Sequence, residues 1–451
     1  MASDADLNAQ MRFIADEARG MLYRLSHVKP FALHETMVPA AAVSVAAQSA
    51  IEHYLSRGRV ELRQRILGFL RWLAGPGGAE STPDAAHRRL AFLRLRFNAV
   101  LSHFDVFSIV MTQRSEHQTG VWLSGLDVVA RDALTLREPY YDVPPVVCYL
   151  DRGFGAAIRR ARTRLPGGGE TPVAIIRVPR ERMIGSGIAA SLVHEVGHQG
   201  AALLDLVAPM RLAFQQEAKR DPAFADTWRA YERWTSEMVA DLWSVAMIGV
   251  GSTLGLMGVL ALPRAFVFRA VTDDPHPVPW IRAQLSCAFG NALYPDRQWQ
   301  RLRAQWAAFY PLAGLRAHDR DVLMRLAQRV PDVVRVMLEH RSALLHGGRL
   351  VDAMPIAERT PNRLRALRAH WGNDFRAWRS APPTLAFAVL GQARADRATT
   401  PDQEGRLLGN LLSYWALRTT IDTSEACAVR PASRRPHRIR AVQPSAALGV
   451  A

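Results

Sequence analysis

The chain has 451 residues, 49% hydrophobic and 22% charged, enough to bury a large core in two or three lobes. Its three cysteines are too few and too scattered for a disulfide framework or a second metal site, which favours a reducing, cytoplasmic location. The first residues lack an apolar run, so we expect no secretory signal.

Apolar residues recur at helical spacing within residues 1–135, most clearly in 8–24, 46–74 and 87–109. We therefore predict an N-terminal helical region there. Arginines are interleaved with aromatic residues in parts of it, as on a nucleic-acid-binding surface. Amphipathic helices with aromatic residues in the core and arginines in solvent explain the same pattern, and we prefer this interpretation.

Two runs rich in β-branched residues, 144–150 and 172–179, predict strands at the start of a region spanning 136–295. The charged stretch 153–163 between them is helix-like. The second strand comes shortly before the helix that carries the main motif, where it would be the sheet edge that pairs with an extended peptide. An ordinary small sheet covering that helix is the alternative.

A mostly apolar helix is predicted over 187–207, and its main polar cluster is the sequence His-Glu-Val-Gly-His at 194–198. His194 and His198 lie one turn apart on one helix face, where they can share a Zn²⁺ ion. Glu195 then lies beside the metal, as a general base for water should. Buried histidines and glutamates are costly unless paired or metal-bound, which favours a metal site over two solvated histidines.

A zinc site needs a third protein ligand. The His-rich variant of the motif is excluded, because Ala201 and Leu204 occupy the positions of its glycine and third histidine. Among downstream acids we favour Glu237, which lies four residues before Asp241 on an apolar helix. The Asp241 carboxylate would accept the free N–H of a ligand histidine. Glu217, in a charged run, Glu232, or the absence of a third ligand are the alternatives.

Residues 242–263 contain no charge and are long enough to span a bilayer. Four glycines interrupt the stretch, so we favour a helix, a turn and a second buried helix. Membrane association is the less favoured alternative. Further along, prolines around His276 predict a turn, with a helix resuming near residue 280 and carrying Arg282.

Residues 296–425 predict a C-terminal helical region, with helices best defined at 297–310, 322–346 and 407–419. Residues 426–451 form a basic tail without acids that we predict to be disordered. The net charge of +16 is otherwise spread along the chain. The tail leaves nucleic-acid or anionic-membrane contact open, but a solvated tail without a partner is favoured, so no nucleic-acid partner is expected.

The order HExxH, then ExxAD on a later helix, then HPxxxxR resembles the gluzincin metallopeptidases of the CaaX-prenyl-protease and HtpX type, over about residues 140–290. The resemblance implies an α+β, mostly α fold in which a zincin-like catalytic core, with a small sheet and the HExxH helix, is flanked by helical regions. It implies His194, His198 and Glu237 as zinc ligands and Glu195 as the base. His276 and Arg282 would lie near the cleft and help to stabilise the oxyanion or hold the substrate backbone.

These patterns together predict a zinc metalloendopeptidase that acts on a protein or peptide substrate, with Tyr140 or Tyr141 as a further candidate for oxyanion stabilisation. Asp241 would orient a ligand histidine. The alternative is a non-catalytic metal-binding regulatory or interaction protein whose zinc site is structural or vestigial. Such a site would be closed by a fourth ligand, and Glu195 would point away from any cleft.

Overall fold

A computed structural model describes residues 4–28, 37–151, 156–164, 169–180, 186–269 and 274–429. Helices dominate this part of the chain, and one three-stranded sheet lies among them. The predicted α+β, mostly α class is therefore confirmed.

The N-terminal part of the chain forms five α-helices, two of which have side-chain N-caps. Ser44 and Thr82 cap the second and fourth by accepting hydrogen bonds from the backbone N–H groups of Ala47 and Ala85, at 3.2 and 3.3 Å. The helices predicted at 8–24, 46–74 and 87–109 are thus confirmed, each within a longer element. They are α1 (Asp4–His27), α2 (Val45–Ala74), α3 (Pro76–Ala79), α4 (Pro83–Thr112) and α5 (His117–Leu134).

The sheet contains β1 (Val146–Asp151), β2 (Ala157–Arg159) and β3 (Ala174–Pro179) in the order β1-β3-β2. β1 runs parallel to β3, and β2 runs antiparallel to it. Both faces are covered: alternate residues of β1 and β3 join the main core, and the others join a second core with α1, α2 and α4. Burial on both faces explains the nearly continuous apolar runs.

Two strand predictions are confirmed within two residues, but the predicted edge is wrong. β3 is the central strand, because β2 covers the side that β1 leaves free. The charged stretch 153–163, which was predicted to be helix-like, supplies this outer strand. Pairing with β3 overrides its local helical preference.

The next seven α-helices of the described chain follow the sheet, and the first of them, α6 (Ser186–Leu203), carries the HExxH sequence and packs against α5, α9 (Thr235–Ile248) and α10 (Val250–Leu260). The predicted helix over 187–207 is confirmed as α6, although it ends earlier, and a new helix begins at Val207. The set is α6 (Ser186–Leu203), α7 (Val207–Arg220), α8 (Ala225–Arg233), α9 (Thr235–Ile248), α10 (Val250–Leu260), α11 (Arg264–Val267) and α12 (Pro279–Leu293).

The apolar stretch 242–263 folds as predicted into two helices with a turn at Gly249, whose φ of +58° favours glycine. α9 is buried along nearly its whole length, and α10 is buried in its first half. Among the described residues, no helix combines the length and apolar character needed to cross a bilayer.

The C-terminal helices pack onto the same core. α18 (Pro383–Ala395) lies against α9 and α10, and α19 (Pro401–Val429) lies along α5. The helix predicted at 322–346 ends at Glu339, and His346 adopts a left-handed φ of +55°. The set is α13 (Arg297–Phe309), α14 (Ala317–Glu339), α15 (Leu350–Ala353), α16 (Pro361–Trp371), α17 (Phe375–Ser380), α18 (Pro383–Ala395) and α19 (Pro401–Val429). Of the predicted tail 426–451, residues 426–429 are the end of α19, and residues 430–451 lie outside the described residues.

Gly197 allows α6 and α9 to approach closely. A Cβ at this position would lie 2.8 Å from the Cα of Ala240 and 3.0 Å from the Cβ of Trp243. Both obstacles are at or next to the α9 backbone, so neither can move without shifting that helix. We expect Gly197→Ala to lower the free energy of unfolding by about 1–3 kcal/mol in urea denaturation.

Gly187→Ala is the matched control, because Gly187 lies in the same helix and a Cβ there would meet nothing within 4 Å. Alanine has a higher helix propensity than glycine, so the Gly187→Ala variant should be more stable than the wild type by up to about 1 kcal/mol. If both variants shifted the unfolding midpoint in the same direction, the close approach of α6 and α9 would not explain the effect of Gly197→Ala.

Candidate metal centre

Three side chains with metal-binding atoms converge where α6 meets α9. Nε2 of His194 lies 3.3 Å from Oε2 of Glu237, and Nε2 of His198 lies 3.3 Å from Oε1 of the same carboxylate. One ligand atom from each residue falls within 4.8 Å of the others. Two imidazoles and a carboxylate are a donor set that zinc accepts in catalytic sites, where they leave one position open.

The two alternative third ligands lie elsewhere. Glu217, on α7, accepts a hydrogen bond from Arg220 at 2.9 Å. Glu232, on α8, accepts one from Gln215 at 2.6 Å. Within the described part of the chain, Glu237 is the acid that completes a possible metal-binding group with the two histidines.

His194 is oriented by Asp241, one turn along α9 from Glu237. Nδ1 of His194 lies 2.8 Å from Oδ1 of Asp241. An ionised carboxylate can only accept, so Nδ1 carries the proton and Nε2 faces the centre. Burial tends to lower the pKa of His194, but Asp241 and then Glu237 raise it to about 9. Without a metal, the two carboxylates therefore favour the doubly protonated ring, and a metal ion at Nε2 would have to displace the proton on that atom.

His198 has an orienting partner that the sequence analysis missed. Its Nδ1 lies 3.2 Å from the Oγ of Ser236, the residue immediately before Glu237. This contact leaves Nε2 for the centre, as on His194. A single serine on an apolar helix carries no distinctive pattern, so no sequence signal pointed to it.

Arg282 enters the site from α12 and contacts both acids of α9. Its Nε donates to Asp241 Oδ2 at 2.7 Å, and its Nη2 donates to Asp241 Oδ1 at 2.9 Å and to Glu237 Oε2 at 3.1 Å. Burial would raise the pKa of Asp241, but Arg282 and His194 hold it below its usual value. The guanidinium is thus committed to Asp241 and Glu237, which favours a positioning role over direct contact with an oxyanion.

We expect Arg282→Met to lower the free energy of unfolding by about 3–5 kcal/mol, because two buried carboxylates would lose their guanidinium. Loss of this support should also weaken zinc binding by about 10–100-fold. Urea denaturation and zinc titration measure the two effects. Arg316→Met is the control: Arg316 pairs with Asp319 on the surface, so stability should change by less than about 0.5 kcal/mol. Equal effects from both variants would contradict the proposal that Arg282 holds Asp241 and Glu237 in place.

Glu195 is buried and lines the same cleft as His194 and Glu237. Its pKa is raised, chiefly by burial and further by Glu237, although both histidines act in the opposite direction. A carboxylate whose pKa is raised toward neutrality is a better proton acceptor than an ordinary surface glutamate.

His276 lies at the mouth of this cleft, with Nε2 3.6 Å from Oε2 of Glu237. Asp274 holds the ring: its Oδ1 lies 2.8 Å from Nδ1 and also accepts the His276 backbone N–H at 2.9 Å. Burial would raise the pKa of Asp274, but the hydrogen bonds from His276 keep this pKa below its usual value. The sequence analysis did not assign this acid, although it stands two residues before His276.

The structure does not bring the two candidate tyrosines to the cleft. The Tyr141 hydroxyl donates to the Leu134 carbonyl at 2.6 Å, and the Tyr140 ring lies 5.5 Å from that of His346. The cleft itself has a volume of about 290 Å³ and is open to solvent on one side.

Comparison of the chain with protein-family models, curated proteins and solved structures finds no significant match. The resemblance to the CaaX-prenyl-protease and HtpX type therefore rests on the three motifs and stays a prediction.

Proposed function

We propose that this protein is a zinc-dependent metalloendopeptidase. One observation carries the proposal: His194, His198 and Glu237 form a catalytic-type donor set, and His194 and Glu237 line an open cleft that Glu195 also lines. In the non-catalytic alternative, Glu195 would point away from the cleft. Its position in the cleft wall supports the enzyme instead.

The donor set fits zinc rather than a hard cation such as Mg²⁺ or Ca²⁺, which prefers oxygen ligands. Both imidazoles have partners on their Nδ1 atoms, Asp241 and Ser236, so both Nε2 atoms face the centre. When bound, zinc would supply Lewis acidity that polarises a carbonyl and makes water more acidic.

The protein's own groups account for the proton transfers. Glu195 takes a proton from the attacking water and passes it to the leaving amine. Asp274 accepts from Nδ1 of His276, so Nε2 of this ring donates to the developing oxyanion when the ring carries both protons. Arg282 keeps Asp241 and Glu237 in place from the wall of the cleft.

The outer strand gives a path for the substrate. β2 is the edge of the sheet, and Ala156, the residue before it, lines the cleft. An extended peptide can add to such an edge through main-chain hydrogen bonds. We therefore propose that the substrate is an extended polypeptide segment that runs along β2 into the cleft.

Metal analysis of the purified protein, combined with a mass-spectrometric peptide cleavage screen, tests the proposal. We expect about one zinc per chain, with cleavage that is lost on chelation and restored by added zinc. A protein that holds its full zinc and cleaves no peptide would contradict the enzymatic proposal and favour the non-catalytic alternative.

A further inference from the structure

The cleft continues from the donor atoms toward the first turns of α6, where α10 forms the opposite wall. This part of the lining is apolar and consists of Ala190, Leu256, Val259, Leu260 and Val278. It lies beside His194 and Glu195, since Ala190 is one helical turn before His194 on α6.

Four polar side chains that line the cleft beside this apolar surface already have partners, and Arg269, which also lines the cleft, is exposed to solvent. Ser252 donates to the Oγ of Ser244 at 2.8 Å, and Ser244 donates to the carbonyl of Ala190 at 3.4 Å. The charges of Asp241 and Arg282 neutralise each other through their two hydrogen bonds. A ligand group that enters this end therefore finds no unpaired charge among these four side chains and gains mainly by burying apolar surface.

The width of this space is set by the packing of α10 on α6. Gly255 lies so close to Ala190 that a Cβ at position 255 would overlap the alanine side chain. Leu256, the next residue, is half-buried and faces the cleft. The whole cleft has a volume of about 290 Å³, which limits the group that this end can admit to one medium-sized side chain.

We infer that this end of the cleft is the specificity subsite, and that it selects a substrate with an apolar side chain of leucine to phenylalanine size next to the scissile bond. The inference rests on the proposed peptidase function, and it names Leu256 as the residue that sets the size limit. Polar or charged side chains are disfavoured there, because they would lose water without gaining a partner.

Binding of hydroxamates to the zinc-loaded protein tests the subsite without requiring turnover. Acetohydroxamate probes the metal alone, and hydroxamates with isobutyl, benzyl or carboxymethyl side chains probe the subsite. By calorimetry, we expect the isobutyl and benzyl compounds to bind at least about tenfold more tightly than the carboxymethyl compound.

Two substitutions at Leu256 should change this preference in opposite ways. Leu256→Trp should weaken isobutyl binding at least about tenfold and leave acetohydroxamate binding unchanged. Leu256→Ala should shift the preference from isobutyl toward benzyl. Met257→Ala is the matched control, because Met257 is also half-buried on α10 but does not line the cleft.

The outcomes separate the two proposals. If side-chain preference follows Leu256 but no peptide is cleaved, the subsite stands and the peptidase function fails. If peptides are cleaved with no apolar preference, or if Met257→Ala acts like the Leu256 variants, the subsite is wrong and the peptidase function stands. A protein that binds none of the apolar hydroxamates more tightly than acetohydroxamate, with or without zinc, also overturns the subsite.

Discussion

Replacing Glu195 with glutamine is expected to lower peptide hydrolysis by about 10²–10⁴-fold and to leave the zinc content unchanged. Glutamine has nearly the same size and shape but cannot take a proton from water. Glu195 is not one of the three donors, so the metal-binding group is intact in the variant. Loss of activity with zinc retained is the signature of a missing base.

Zinc content and cleavage rate should be measured on the same preparation. Glu217→Gln is the matched control, because Glu217 lies on α7 and pairs with Arg220 away from the histidines. It should retain both zinc and activity. Cleavage by Glu195→Gln at the wild-type rate would refute the assignment of the base, even if the zinc site were correct.

Replacing Glu237 with alanine is expected to reduce zinc affinity by more than about 100-fold, because loss of a direct ligand should exceed the effect of losing an orienting partner. The change removes the carboxylate that lies 3.3 Å from both imidazoles. The Arg282 guanidinium would keep its two hydrogen bonds to Asp241, so we expect the variant to fold.

Zinc titration and metal analysis measure this effect, and circular dichroism checks that the variant is folded. Glu217→Ala should bind zinc as the wild type does. Full zinc occupancy in Glu237→Ala would show that another residue is the third ligand. Loss of zinc in Glu217→Ala alone would restore the alternative that the sequence left open.

The parts of the site that depend on one helix were predictable from the sequence. The spacing of His194 and His198 fixes their common face, and the four-residue step from Glu237 to Asp241 does the same on α9. The apolar setting of the second pair distinguished it from Glu217, and the structure places Glu237 with the histidines. The mostly helical fold class followed from periodicity in the same way.

Features that depend on contacts between distant segments were not predictable. The outer strand β2 exists because a charged, helix-like stretch pairs with β3. The partners of Arg282 lie more than 40 residues away on another helix. Ser236 is a single polar residue that acquires a role only through its contact with His198 on another helix. Contacts between residues so far apart leave no local pattern in the sequence.

The packing of the last helices also bears on how a nascent chain matures. α18 packs on α9, which carries Glu237, and α19 packs along α5 near the start of the main core. The Thr420 hydroxyl even donates to the Pro39 carbonyl, at 3.2 Å, across most of the chain. Contacts so distant in sequence form only after the C-terminal helices have left the ribosome. The donor cluster therefore gains its full packing support only after α18 and α19 have been synthesised.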